Sequence, residues 1–279
     1  GKGFAVDPPA ATPAPPYAFI GVRACELAAL DLQDRIFMSG QYADAHYTAI
    51  RSSAFIVAVN CGRGGGTCFC SSMGTGPKAR DGFDLALTEI MDGERHAFLI
   101  ETGSSRGKDA RAAMQAREAD PSEIARAAAV SRAAESTMGR ALDTSGLAGI
   151  LAENFEHQRW DDIAKRCLAC ANCTMVCPTC FCSTVEDVTD LTGDHAERWR
   201  RWDSCFTSDF TRVAGGNIRM STRTRYRQWM MHKLSHWVEQ FGSTGCVGCG
   251  RCITWCPVGI DITAEAAAIR GANVATTNG

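Results

Sequence analysis

One spacing of cysteines occurs twice in this chain and constrains it more than anything else. Cys167, Cys170, Cys173 and Cys177 precede Pro178, and Cys246, Cys249, Cys252 and Cys256 precede Pro257, so both runs read C-x2-C-x2-C-x3-C-P. Three thiolates so closely spaced wrap one corner of a compact inorganic core. The fourth, beyond a longer gap, reaches a second core instead. Runs of this form hold paired [4Fe–4S] cubanes, each lending its fourth cysteine to the other. The spacing therefore predicts a cluster A on Cys167, Cys170, Cys173 and Cys256, and a cluster B on Cys246, Cys249, Cys252 and Cys177. Ala169, Ala171, Val247, Gly248 and Gly250 are small enough for backbone N–H groups to approach the sulfurs. Structural zinc uses paired cysteines in a tetrahedral set, and two complete four-cysteine runs do not have that form.

Seven further cysteines bring the total to 15 in 279 residues. That share lies below the ~8–10% of disulfide scaffolds. The count is odd, and the chain is long for a small cross-linked secreted domain. Metal or redox chemistry in a reducing, cytoplasmic setting is the expected use. A net charge of −2 gives no reason to expect a nucleic-acid partner. No apolar run approaches the roughly 18 residues of a membrane span. The chain opens at Gly1 on what reads as the middle of a segment, so a preceding N-terminal portion is expected.

The pattern predicts an α+β chain: an N-terminal α/β-type domain over 1–102, a helical connector over 103–146, and a mainly helical ferredoxin-type domain with two [4Fe–4S] motifs over 147–279. A Pro/Ala-rich linker over 8–16 leads to a strand over 17–22 and a helix over 25–37 with Leu27, Leu30 and Ile36 inward. A buried strand over 53–60 follows. Segments 85–90 and 96–101 alternate around Asp92–Gly93, a hairpin signal. The connector is helical over 108–140, interrupted at Pro121, with Ser122 as a cap. One amphipathic helix is expected over 147–166 with Leu151, Phe155 and Ile163 inward. Helical character is also expected between the two cysteine runs. There a helix over 221–241 brings Trp229, Met230, Leu234 and Trp237 together. His232 and His236, at i and i+4, read as packing or polar-face residues, because Lys233 stands where H-E-x-x-H has its glutamate. Arg219, Arg223, Arg225 and Arg227 read as a solvated face.

A third cluster is expected on Cys25, Cys61, Cys68 and Cys70, with a set of buried free cysteines as the alternative. The first two follow strands, Cys25 lies near a helix N-terminus that favours a thiolate, and Gly62–Gly66 leaves room for a core. A phosphate loop would end in Lys-Ser/Thr, which is missing. Cys180, Cys182 and Cys205 remain over as buried thiols, with a fourth cluster completed by a non-cysteine ligand as the alternative, and Thr179–Cys182 repeats the Thr-Cys-Phe-Cys of 67–70.

The block from Cys167 to Cys182, together with Trp202–Phe206, Tyr226–Lys233 and Gly245–Cys252, resembles the β subunits of sulfhydrogenase-type [NiFe] hydrogenases and the related A subunit of anaerobic sulfite reductase. Gly21–Cys25 and Cys68–Gly76 fit as well. The resemblance implies an electron relay between an FAD/NAD(P)-binding flavoprotein subunit and the small and large [NiFe] hydrogenase subunits. It leaves open a relay for sulfite reduction. A structural or redox-sensing iron–sulfur protein is the reading from another class. The chain itself carries no dinucleotide fingerprint and no Ni-binding cysteine pairs, so no catalytic residue is assigned.

Overall fold

The computed structural model describes residues 5, 15–93, 95–210 and 212–276. Most of the expected linker over 8–16 lies outside them. The chain forms two compact units, one from 1–62 with 78–132 and the other from 63–77 with 133–279. This division differs from the expected one. The glycine-rich loop 63–77 belongs with the ferredoxin-type unit, and the connector 103–146 is shared between the two.

In the first unit, β1 (Ala18–Arg23) runs into α1 (Ala24–Phe37), and α2 (Ala45–Ser53) precedes β2 (Phe55–Val59). Next come β3 (Leu85–Asp92) and β4 (Arg95–Thr102). The sheet has the order β1-β2-β3-β4. β1, β2 and β3 are parallel and β4 returns antiparallel through the expected hairpin. Ile56, Ala58 and Ala86 pack with Ala24 and Leu27 of α1 in the core. Buried Asp84 accepts from the Ile56 amide at 2.7 Å, the Ser104 hydroxyl at 2.5 Å and the Arg106 guanidinium at 3.3 Å. One carboxylate thus ties β2 to the segment that follows β4.

α3 (Ser105–Ala113) and α4 (Pro121–Ser136) replace the expected interrupted helix. Asp120, not Ser122, is the cap. Its carboxylate accepts from the Ser122 and Glu123 amides at 2.8 and 3.0 Å, and Glu123 reaches back to the Asp120 amide at 3.1 Å. This is a capping box with proline at the first helical position, where its missing N–H costs nothing.

The second unit holds α5 (Leu147–Glu153), α6 (Arg159–Arg166), α7 (Asn172–Met175), α8 (Thr222–Met231), a π-turn (His232–His236), α9 (Trp237–Phe241), α10 (Arg251–Thr254) and α11 (Ile262–Thr276). Leu151, Trp160, Ile163, Met230, Leu234 and Ile269 are at most 1% exposed and form its core. The single helix expected over 147–166 is two. The Asn154 side chain caps the Ile150 carbonyl at 2.8 Å, and the Asn154 carbonyl takes the Trp160 indole N–H at 2.9 Å, so the chain turns there. Phe155, expected inward, is 42% exposed and lies 3.6 Å from the Arg227 guanidinium.

Three of the arginines expected on a solvated face, Arg223, Arg225 and Arg227, are partnered. Arg227 is buried and pairs with Glu156 at 2.8 Å, as does Arg223, while Arg225 donates to the Phe206 and Met220 carbonyls. Between the cysteine runs, the helical expectation gives way to an antiparallel hairpin of β5 (Ser183–Thr189) and β6 (Ala196–Trp202). Both strands are exposed over most of their length, so neither shows the in–out alternation by which a half-buried strand is read.

Loop 63–77 is held to the second cysteine run. Phe69, fully buried, donates its amide to the Gly248 carbonyl at 2.9 Å, and Thr75 donates to the Val247 carbonyl at 2.6 Å. The two runs share one backbone form. Ala169 and Ala171 (φ 51° and 65°) match Gly248 and Gly250 (φ 65° and 70°), two and four residues after the first cysteine of each run. Ala171 and Gly250 then cap α7 and α10.

The equivalent positions differ in their surroundings. A Cβ at Gly250 would lie 2.1 Å from the Thr67 carbonyl oxygen. Ala171→Gly should stabilise the unit by up to about 1 kcal/mol by relieving left-handed strain. Gly250→Ala should cost more than about 2 kcal/mol, because a backbone must move. Denaturation midpoints of the two variants check this, and equal effects at both positions would contradict it.

Candidate metal centre

Each cysteine run makes the same tight turn, and the turn aims amides at sulfur. The Ala169 N–H points to Cys167 Sγ at 3.4 Å, and the Gly248 N–H to Cys246 Sγ at 3.5 Å. The left-handed residues produce this geometry, since they curl the backbone around the first thiol of the run.

The fourth cysteine of each run lies with the other run. Cys256 shares a narrow hollow of about 30 Å³ with Cys167, Cys170 and Cys173, and Cys252 also reaches its wall. Burial pushes the Cys173 thiol up to about 12, with Cys167, Cys170 and Cys256 adding to the rise. The second set mirrors this. Burial pushes Cys246 up to about 12 and raises Cys249 and Cys252 as well, and Cys177 contributes to each. Among the described residues no three His, Cys, Asp or Glu side chains converge on a single metal ion. A cubane places its four thiolates on four separate irons, so its ligands stand further apart.

The donor chemistry fits iron–sulfur cores. Buried thiols with raised pKa do not remain thiolates by themselves, whereas iron replaces their protons. Two buried donors also lack partners among the described residues: the Tyr226 hydroxyl and the Trp229 indole N–H. Both residues line the hollow around Cys167, Cys170, Cys173 and Cys256. An inorganic sulfide there would accept what the chain leaves unpaired.

Lys233 supplies the charge on the other side. It is 4% exposed, and its ammonium donates to Cys177 Sγ at 3.1 Å and Thr179 Oγ1 at 2.9 Å. Burial opposes its charge, but Cys177, Cys180 and Cys246 outweigh burial and hold it protonated. A hydrogen bond from the Cys180 thiol, aided by Lys233, holds Cys177 well below the ordinary thiol range. Near the first set, Glu265 (2% exposed) joins Arg159 and Arg166 at 2.5 and 2.6 Å and fixes α11 beside the cysteine run.

Tyr226, Trp229 and Lys233 were not singled out as functional from the sequence, although all three fall in the block Tyr226–Lys233 that carries the family resemblance. His232 is a packing residue as expected: its Nε2 accepts from the Trp237 indole at 3.0 Å, and burial lowers its pKa to about 4. Of the cysteines expected to form a third cluster, Cys25 and Cys61 follow adjacent parallel strands of the first unit. Cys68 and Cys70 lie in the second unit, where Cys68 Sγ is 3.9 Å from the Cys249 carbonyl.

Among the described residues no helix is long and apolar enough to cross a membrane. A 4Fe-4S dicluster domain family matches residues 166–260, a span that contains both runs. No solved structure gives a significant match. Sulfhydrogenase 2 subunit beta of Pyrococcus furiosus is 34% identical over 248 residues, covering 88% of this chain and 71% of the relative. With its paired cysteine runs inside a dicluster domain and this likeness along most of its length, the chain belongs to the sulfhydrogenase β-subunit family.

Proposed function

We propose that this chain relays electrons through two [4Fe–4S] clusters, one on Cys167, Cys170, Cys173 and Cys256 and the other on Cys246, Cys249, Cys252 and Cys177. The donor is an FAD/NAD(P)-binding subunit and the acceptor a [NiFe] hydrogenase core, or the reverse. The reading is supported by the positions of the fourth cysteines: Cys256 lines the hollow of the first run, and Cys177 acts through charge on the thiols of the second. Two cores interlocked in this way stand close together, as a relay requires. The sulfhydrogenase relative favours a hydrogenase complex over a sulfite-reducing one.

In this relay the clusters supply one-electron redox chemistry. The residues of the chain hold them, exclude water and set their charge environment. Lys233 stabilises added negative charge at the second set, and Tyr226 offers a hydrogen bond at the first. The isolated chain with its clusters should accept electrons from dithionite or a reduced flavoprotein and show no hydrogen or sulfite turnover. Robust turnover by the pure chain would overturn the relay reading.

Crossed ligation has a selective signature. Cys177→Ser should perturb the cluster of Cys246, Cys249 and Cys252 and spare the other, as resolved by EPR of the reduced protein. A spectrum in which the cluster of Cys167, Cys170 and Cys173 alone is lost would contradict it.

Potentials provide the electrostatic check. Lys233→Met should make the second cluster harder to reduce, by on the order of 100 mV for loss of a nearby buried charge. Tyr226→Phe should lower the first by a few tens of millivolts, the equivalent of about 1 kcal/mol for one hydrogen bond. Redox titration of each variant reads both shifts, and a rise in either potential would refute the assignment.

A further inference from the structure

Cys180, Cys182 and Cys205 belong to neither run, yet all three line one cavity of about 460 Å³ in the second unit, with Lys233 and His232 on its wall. Cys182 Sγ accepts hydrogen bonds from both the thiol and the backbone N–H of Cys205. The two cysteines flank the open end of the β5–β6 hairpin, where Ser183 pairs with Trp202 and the Asp203 amide donates to the Cys182 carbonyl at 2.9 Å. Cys180 in turn donates to Cys177, the residue assigned above to the second cubane. Thiols therefore lead from that ligand to the cavity wall.

Cys182 and Cys205 are joined to each other directly, through both the thiol and the backbone N–H of Cys205. Cys167, Cys173, Cys246, Cys249 and Cys252 feel the other thiols of their sets through charge, as groups spaced around a core do, and Cys177 accepts from Cys180, a thiol outside both sets. Cys182 and Cys205 lie within hydrogen-bond reach of each other, and bond formation between two sulfurs requires such proximity. Both are half-buried thiols beside a cavity through which protons can exchange.

We propose that Cys182 and Cys205 form a reversible dithiol/disulfide couple, a two-electron redox site beside the second cubane. In the oxidised form one S–S bond joins the two sulfurs. Two successive one-electron transfers from the reduced cubane, each matched by one proton from solvent in the cavity, break that bond and leave two thiols. The reverse step forms the S–S bond, returns two electrons one at a time to the cubane, which passes the first along the relay before taking the second, and releases two protons. The couple would store an electron pair between one-electron carriers and staple the base of the exposed hairpin when oxidised. It rests on the relay reading for its electron source.

Peptide mapping of the complete, anaerobically purified chain tests the couple. Protein poised oxidised with thionin and protein reduced with dithionite are alkylated without added thiol, digested and weighed. The peptides bearing Cys182 and Cys205 should be joined in the oxidised sample and separately alkylated in the reduced one. Cys205→Ser should retain the iron of the unmodified chain and take up two fewer electrons in a dithionite titration. Unjoined peptides in both samples would overturn the proposal, as would loss of about four iron atoms from Cys205→Ser, which would make these thiols cluster ligands. Should the variant fail to fold, the map of the unmodified chain decides. Joined peptides in a chain that binds no iron would keep the couple and overturn the cubane reading instead.

Discussion

The second unit depends on one exchange: Cys256 lies with the first cysteine run and Cys177 with the second. Neither set of four thiols is complete until both runs are in place. The segment between the runs is therefore free to carry a hairpin and a long broken helix, provided it returns the second run to the first. The backbone meets the demand by using the same pair of left-handed residues in each run. At Ala169 and Ala171 that form costs about 1–2 kcal/mol per residue. Such strain persists only where the surroundings over-determine the conformation. Here they do so with the Ala169 amide aimed at sulfur, and with α7 starting directly from Ala171.

Burial makes the exchange electrostatically demanding. Burial raises the pKa of Cys167, Cys173, Cys246, Cys249 and Cys252, and neighbouring thiols add to the rise, so the unit must either keep them protonated or supply cations. It supplies iron in our reading, and it has also built in Lys233, whose ammonium is buried against Cys177 and Thr179. Thr179 passes the interaction on by donating to the Gly245 carbonyl at 2.8 Å, at the threshold of the second run. The same few side chains thus hold the charge and fix the register of the two runs.

The cysteine spacing is legible because it is a covalent distance: two residues between successive thiols limit what they can wrap, whatever the fold. The helical period of Trp229, Met230, Leu234 and Trp237 was legible for a similar reason, and all four are buried. Other features answer to tertiary context. Nothing local marks loop 63–77 as part of the ferredoxin-type unit, since its anchor is the burial of Phe69 and its bonds to residues 247 and 248. Asn154 ends a helix through a side-chain bond that helical periodicity ignores. The β5–β6 hairpin shows no alternation because most of its residues are exposed. In the sequence Lys233 shows only as the residue in place of a glutamate, and its burial against a thiol depends on the tertiary placement of the two runs.

Proximity of two reduced cubanes is the property most directly at stake, and low-temperature EPR of the dithionite-reduced chain measures it. Two [4Fe–4S] clusters held by interlocked runs should give a broadened spectrum with spin–spin interaction, integrating to about two spins per chain at one unpaired electron per reduced cubane. A spectrum of two sharp, non-interacting signals, or one that integrates to a single cluster, would contradict the account.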